Sequence, residues 1–275
     1  DWPEAFFAPR LWRIRRPAPD SLVLAEAAAL LRAARAPLIV AGGGVHYAGA
    51  AQALADFATA HAIPVAETQA GKSALAHDHP LNLGAIGVTG SSAANQAAAE
   101  ADLVLAVGTR LADFTTGSNA LFANPAMRLV SLNVQPFDAA KRHAAPLVAD
   151  ALAGLAALDA ALAGHRAPAA WAARTQAALP PWREAVRAAT AAGNAERPTD
   201  AQVIGAVQRA LPDSAVIVAA AGGLPGELHK LWQAKGPGTY HLEYGYSCMG
   251  YEVAGGLGVK LAMPEREVVV LLGDG

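Results

Sequence analysis

The sequence predicts an α/β protein, with a doubly wound parallel sheet forming a middle domain and a truncated second α/β unit after it. Short β-rich apolar runs alternate with longer helical stretches along the 275 residues, which is how strands joined by crossover helices look in sequence. Glycine-rich turns directly follow several of these runs, where a parallel strand hands over to a helix. The composition, 53% hydrophobic and 16% charged, supplies enough apolar material for two globular units.

Residues 1–20 read as an interdomain linker. Trp2, Phe6, Phe7 and Trp12 alternate with Arg10, Arg13, Arg15 and Arg16, a mixture able to stack on bases and neutralise phosphates. With 21 basic against 23 acidic residues overall, the better reading has the aromatics packed on a domain and the arginines facing solvent or acidic groups.

The middle domain is expected over 21–164. A helix over Ser21–Ala36 has Val23, Ala27, Leu30, Leu31 and Ala34 at helical spacing and stops before Pro37. Strands follow at Leu38–Ala41, Ile63–Ala66, Leu103–Val107, Leu129–Val134 and Leu147–Val148, separated by alanine-rich helices. Over 165–198 the pattern loosens into a connector, where Pro168, Pro180 and Pro181 break helical pieces that carry Trp171 and Trp182. The second unit, 199–275, opens on a capping box formed by Thr199 and Gln202, ahead of Val203, Ile204, Val207 and Leu211 on one helix face. Strands at Val216–Ala219 and Val268–Leu272 flank a glycine-rich stretch. The second of these runs into Gly273-Asp274-Gly275, so this unit is expected to lack a covering helix and a neighbouring strand.

A net charge of −2 gives no general attraction to nucleic acid or membrane, and no apolar run approaches the roughly 18 residues of a membrane span. The lone Cys248 excludes an internal disulfide and is compatible with a cytoplasmic location.

Among the motifs, Gly42-Gly43-Gly44 lies between a strand and a helix, but Tyr47 stands where the dinucleotide fingerprint has its third glycine, so a tight turn without ligand is preferred. Ala70-Gly71-Lys72-Ser73 lacks the first P-loop glycine, Ala66 being in its place. Glu67 ends a strand, where it is either a ribose-binding carboxylate or a solvated or helix-capping acid. Gly245-Tyr246-Ser247-Cys248-Met249 misses the last glycine of a nucleophile elbow, and Cys248 reads as a small core residue rather than a nucleophile. His46, His229 and His241 have no metal-ligand spacing. Asp274 follows an apolar strand, where a carboxylate can hold Mg²⁺, and Ala221 to Glu227 also lies between a strand and a helix and offers a phosphate cradle.

A strand ending in Gly-Asp-Gly, preceded by Met249-Gly250 and a glycine-rich helix, resembles the diphosphate domain of thiamine-diphosphate-dependent enzymes. Those enzymes place a pyrimidine-binding domain first, a middle α/β domain second and the diphosphate domain third. On that order this sequence starts at the second and stops inside the third. Four strings, Glu67 to Ser73, Gly87 to Gly90, Gly108 to Ser118 and His241 to Glu252, resemble more narrowly the hydrolases that open an inositol-derived cyclic dione.

The resemblance implies thiamine diphosphate and Mg²⁺ as cofactors. Asp274 would bind the metal, with Gly273 and Gly275 beside it, and Gly222, Gly223 and Leu224 would lie against the diphosphate. The Ser247 carbonyl and Met249 amide would meet the aminopyrimidine edge, with the Met249 side chain beneath the bent cofactor. Tyr244, Tyr246 and Glu252 stand as substrate-side or packing residues. The resemblance assigns no catalytic residue to this chain, because the activating glutamate belongs to the first domain and a second metal ligand, an asparagine, would follow Gly275; the isolated chain is expected to be inactive. It further implies a cyclic diketone substrate, a deoxy-glucuronic acid product, a homodimer or homotetramer, and an association with NAD to which it assigns no residues. Two alternatives stay open: a carboligase like acetolactate synthase, which a flavin in the middle domain would favour, and a non-catalytic nucleotide-binding α/β protein.

Overall fold

The computed structural model describes residues 2–193, 196–220, 222–243, 245–246 and 248–273. Helix α1 (Ser21–Ala33) starts under Asp20, whose carboxylate accepts from the amides of Leu22 and Val23, and it stops three residues short of the expected end. Strand β1 (Pro37–Ala41) leads through a short α2 (Gly43–Tyr47) into α3 (Ala51–His61) and β2 (Val65–Glu67). Next come β3 (Asn82–Ala85), α4 (Ser92–Glu100), β4 (Leu103–Val107), a short α5 (Asp113–Thr116) and β5 (Arg128–Asn133). A short α6 (Pro136–Ala139), β6 (Ala145–Val148) and α7 (Ala151–Ala161) complete this part.

These six strands form one parallel sheet in the order β3-β2-β1-β4-β5-β6. The pleat sends successive side chains to opposite faces, so β1 alone feeds two cores. Ile39 and Ala41 join Leu31, Leu54 and Leu155 under α1, α3 and α7, whereas Leu38 and Val40 join Ala94, Ala98 and Leu179 under α4 and the segment beyond the sheet. A sheet covered on both faces requires uninterrupted apolar strands, which β1 and β4 have.

The stretch expected to be a loose connector is a helical pair, α8 (Ala169–Ala177) and α9 (Leu179–Ala189). Its prolines divide the pieces at their starts: Pro168 precedes α8, which carries Trp171, and Pro180 and Pro181 lie in the first turn of α9, which carries Trp182, where the missing amide costs nothing. The Trp171 indole donates to the Pro37 carbonyl at 2.8 Å, and Trp182 packs against both the core of the large sheet under α4 and the core of the second unit. Helix α10 (Asp200–Ala210) carries the Thr199–Gln202 capping box. It is followed by β7 (Val216–Ala219), α11 (Gly223–Leu231), β8 (Tyr240–Leu242), α12 (Tyr251–Ala262) and β9 (Val268–Val270). The second sheet is parallel, in the order β8-β7-β9. On α12, Gly256 lets the helix lie against Val270 of β9, where a Cβ would come to 2.4 Å, while Val253, Leu257 and Leu261 at helical spacing are exposed.

The amino-terminal stretch differs from its expectation. Trp2, Phe6, Phe7 and Trp12 are exposed; the Trp2 and Phe7 rings lie against the Phe6 ring, with centroids 4.9 and 5.2 Å away. Only the end of the stretch engages the sheet: the Pro17 carbonyl accepts from the Asp150 amide, and Arg16 pairs with the buried Asp150 carboxylate at 3.1 Å.

Candidate functional site

The three strands of the second sheet end on one edge. Ala219 stands opposite Leu242 in register, the Glu243 amide extends the ladder to the Ala219 carbonyl, and the Leu271 amide donates to Val218. The segments after β7, β8 and β9 therefore converge, and they contain the residues singled out above.

After β7 the backbone turns at Gly222 with φ +128°, a conformation essentially confined to glycine, and enters α11. A Cβ on Gly223 would meet nothing within 4 Å, so the first turn of α11 lies open. The first amides of a helix have no intrahelical acceptor, and the dipole adds positive potential there. After β8, Glu243 organises the next loop: its carboxylate accepts from the Cys248 amide at 2.6 Å and the Tyr246 amide at 2.9 Å, and these bonds hold its pKa below the usual carboxylate range. Tyr246 and Met249 project from this loop, Met249 being 74% exposed. Gly250, with φ +89°, caps α12, and the buried Glu252 accepts from its amide at 2.8 Å, which gives Glu252 a capping role.

Cys248 is exposed, contrary to its reading as a core residue; the Glu243 tie holds it on the outside of the loop. Gly273 ends the described part of the third segment, and Tyr244, Ser247, Asp274 and Gly275 lie outside the described residues.

The large sheet supplies the opposite wall. A cavity of about 340 Å³ is lined by Ala220, Gly222 and Pro225 from the second unit and by Gln69, Thr89, Arg110 and Asp113 from the loops of the first. Sequence reasoning missed these middle-domain residues as a group, although all four lie within the strings that carried the resemblance. It also missed His229. This α11 histidine is 1% exposed; its Nε2 donates to the Glu67 carbonyl at 3.1 Å, and its Nδ1 accepts from the Thr89 hydroxyl at 2.8 Å. Burial, with Lys72 as a nearby like charge, pushes its pKa down to about 3, so the ring is neutral and ties α11 to the large sheet. Among the described residues no group of three or more His, Cys, Asp or Glu is placed to hold a metal.

The remaining motifs resolve into packing. Gly42, Gly44, Gly71 and Gly108 meet backbone to backbone at the carboxyl edge between β1 and β4: a Cβ on Gly44 would reach Gly108 Cα at 2.6 Å, and one on Gly71 would reach the Ala41 carbonyl at 2.1 Å. Glu67 is buried rather than solvated, its two oxygens held by the Leu75 amide at 3.0 Å and the Asn82 side chain at 3.2 Å.

Comparison with known proteins bears on this edge. Two protein-family models match: the central domain of thiamine pyrophosphate enzymes over residues 24–158, and their C-terminal TPP binding domain over 220–275. A 3D-(3,5/4)-trihydroxycyclohexane-1,2-dione hydrolase from Geobacillus thermodenitrificans is 44% identical over the whole of this chain and 46% of its own length. Proteins of the same name from Clostridium perfringens and, with the suffix 2, Bacillus cereus are 41% and 43% identical, with 47% and 46% of their lengths covered. The chain thus spans about half the length of the curated relatives it matches.

Proposed function

The chain belongs to the thiamine pyrophosphate enzymes, and on that footing we propose that it forms the middle domain and the diphosphate-holding edge of a hydrolase that opens 3D-trihydroxycyclohexane-1,2-dione in inositol breakdown. The observation that carries the reading is the open first turn of α11 after Gly222, facing a cavity whose far wall belongs to the middle domain. A diphosphate fits there: the amides of Gly223 and Leu224 are unpaired by helix geometry, and no side chain blocks Gly223. When bound, the cofactor supplies a nucleophilic carbon and an electron sink for cleaving the bond between the two oxidised carbons of the ring.

This chain's own residues hold and shape. Gly222, Gly223 and Leu224 take the diphosphate, and Asp274, between Gly273 and Gly275, takes Mg²⁺. The Ser247 carbonyl and Met249 amide take the aminopyrimidine edge, on a loop that Glu243 keeps folded by its two amide bonds. Arg110 and Gln69, on the opposite wall, are placed to orient a hydroxylated ring by donating to its oxygens. The reading includes a cytoplasmic homodimer or homotetramer. NAD enters this reading as an association to which no residue of the chain is assigned.

The test is a comparison of kcat/KM for the cyclic dione and for pyruvate with the full-length enzyme, thiamine diphosphate and Mg²⁺, products being followed by mass. The expected result is consumption of the dione with pyruvate a poor substrate, and loss of Mg²⁺-dependent cofactor binding in Asp274→Ala. Efficient formation of acetolactate with the dione untouched would move the assignment to a carboligase.

A further inference from the structure

A second cavity lies between the large sheet and the helices α9 and α11. It is a void of about 70 Å³, continuous in its lining with an outer depression of about 350 Å³ through His77, Arg183 and Gln233. Neither belongs to the cofactor edge.

Lys72 lines the inner void. The residue is 5% exposed, yet its ammonium makes no hydrogen bond or ion pair with any described residue; its one recorded contact is the Tyr240 ring, 5.8 Å to the centroid. Glu67 lines the same void and its charge partly offsets the effect of burial on Lys72, but its carboxylate makes no contact ion pair with the ammonium, its two oxygens being held by Leu75 and Asn82. Burying a lysine without an acceptor is costly, and the burial shows in a pKa pushed down to about 8. Two further basic side chains line the mouth of this space. His77 has a buried Nδ1 without a partner, and Arg183, at the junction of the two voids, makes no hydrogen bond or ion pair with any described residue. His77 is itself held below the ordinary histidine range by burial and by the like charges of Lys235, Arg183 and Lys72, partly offset by Asp78. By contrast Lys230, also in the lining, already pairs with Glu227 at 2.8 Å.

We propose that this inner void is a binding site for a small oxyanion, held by Lys72 from the middle domain and by Arg183 and His77 at the mouth. Size agrees: with ~10–15 Å³ needed per water, the void takes roughly five water-sized atoms, which matches a phosphate or a short carboxylate. Such an anion would give the buried ammonium its missing acceptor and bridge the middle domain to α9 of the connector.

The experiment uses the full-length enzyme saturated with thiamine diphosphate and Mg²⁺, so that the cofactor edge is filled, in a chloride buffer. Inorganic phosphate and acetate are titrated separately, by calorimetry and by thermal shift. One saturable site is expected, with affinity falling at least tenfold in Lys72→Met and several-fold in Arg183→Gln, and unchanged in Arg174→Gln, whose partner is Glu100 on the far side of α8. Tighter binding of phosphate identifies a phosphate site, and tighter binding of acetate a carboxylate site. Arg183 is exposed, so Arg183→Gln carries the test should Lys72→Met fail to fold. No saturable binding, or equal affinity in wild type, Lys72→Met and Arg183→Gln, overturns the proposal and leaves the void to ordered water.

Discussion

His229 shows how a single buried side chain joins two sheets. Its ring lies between the Glu67 carbonyl and the Thr89 hydroxyl, and it has to remain neutral to be there. Folded His229 titrates at about 3 against an ordinary 6.5. Between those values the unfolded chain takes up a proton that the folded chain refuses, so the contribution is whole above pH 6.5 and is lost as pH falls toward 3. Lowering pH from 6.5 to 5 should therefore destabilise wild type by roughly 2 kcal/mol relative to His229→Gln, at ~1.4 kcal/mol per unit. Urea unfolding of both proteins at pH 7.5, 6.5 and 5 measures this, and parallel pH profiles would show that the ring does not carry the linkage. Lys72 acts in a separate window. With its folded pKa near 8 and its ordinary value 10.5, it costs stability below pH 8 and ceases to do so between 8 and 10.5, so the two residues are separable by pH.

At the scale of elements, glycines divide into those that allow close approach and those that leave an opening. Gly44 opens α2 against Gly108, and a Cβ there would come within 2.6 Å of backbone, which cannot swing aside. Gly44→Ala is expected to cost about 1–3 kcal/mol or more through overpacking. Gly223→Ala, with nothing within 4 Å of the added methyl, should leave the melting temperature almost unchanged. Thermal melts of the two variants make the comparison, and equal losses would contradict this division. The same reasoning explains why β3 and β8 escaped a reading of apolar runs. β3 is Asn82–Ala85, interrupted by Gly84 at φ +87°, and β8 is three residues long after a Gly-Pro-Gly turn; each is an edge strand that owes its place to the neighbour already laid down.

For the whole molecule, the helical pair α8–α9 decides how the two sheets share stability. Trp171 and Leu179 belong to the core of the large sheet under α4, Val186 belongs to the core of the second unit, and Trp182 touches both. Wild type should unfold in one calorimetric transition. Trp182→Ala is expected to remove about 1–3 kcal/mol and to separate the transitions, with the calorimetric enthalpy exceeding the van't Hoff value. A single transition in the variant would mean that the bridge is carried elsewhere, for instance by His229.

The sequence by itself determined the doubly wound class, the strands β4 and β7 to the residue, and the capping box at Thr199. These are local properties: an apolar run, a hydroxyl three residues from a glutamine, and a glycine pair after a strand carry their physics within a few residues. Tertiary structure alone decided the rest. His229 lies 162 residues from Glu67 and 140 from Thr89, and nothing in the flanking residues distinguishes a buried neutral histidine or an unpaired buried lysine from a surface one. Cys248 faces solvent because Glu243, five residues earlier, holds its amide. Trp2 and Phe7 were expected against a domain but lie against Phe6, because burial depends on which surface is within reach. Burial and partner identity are sums over the whole fold, whereas periodicity and capping are not.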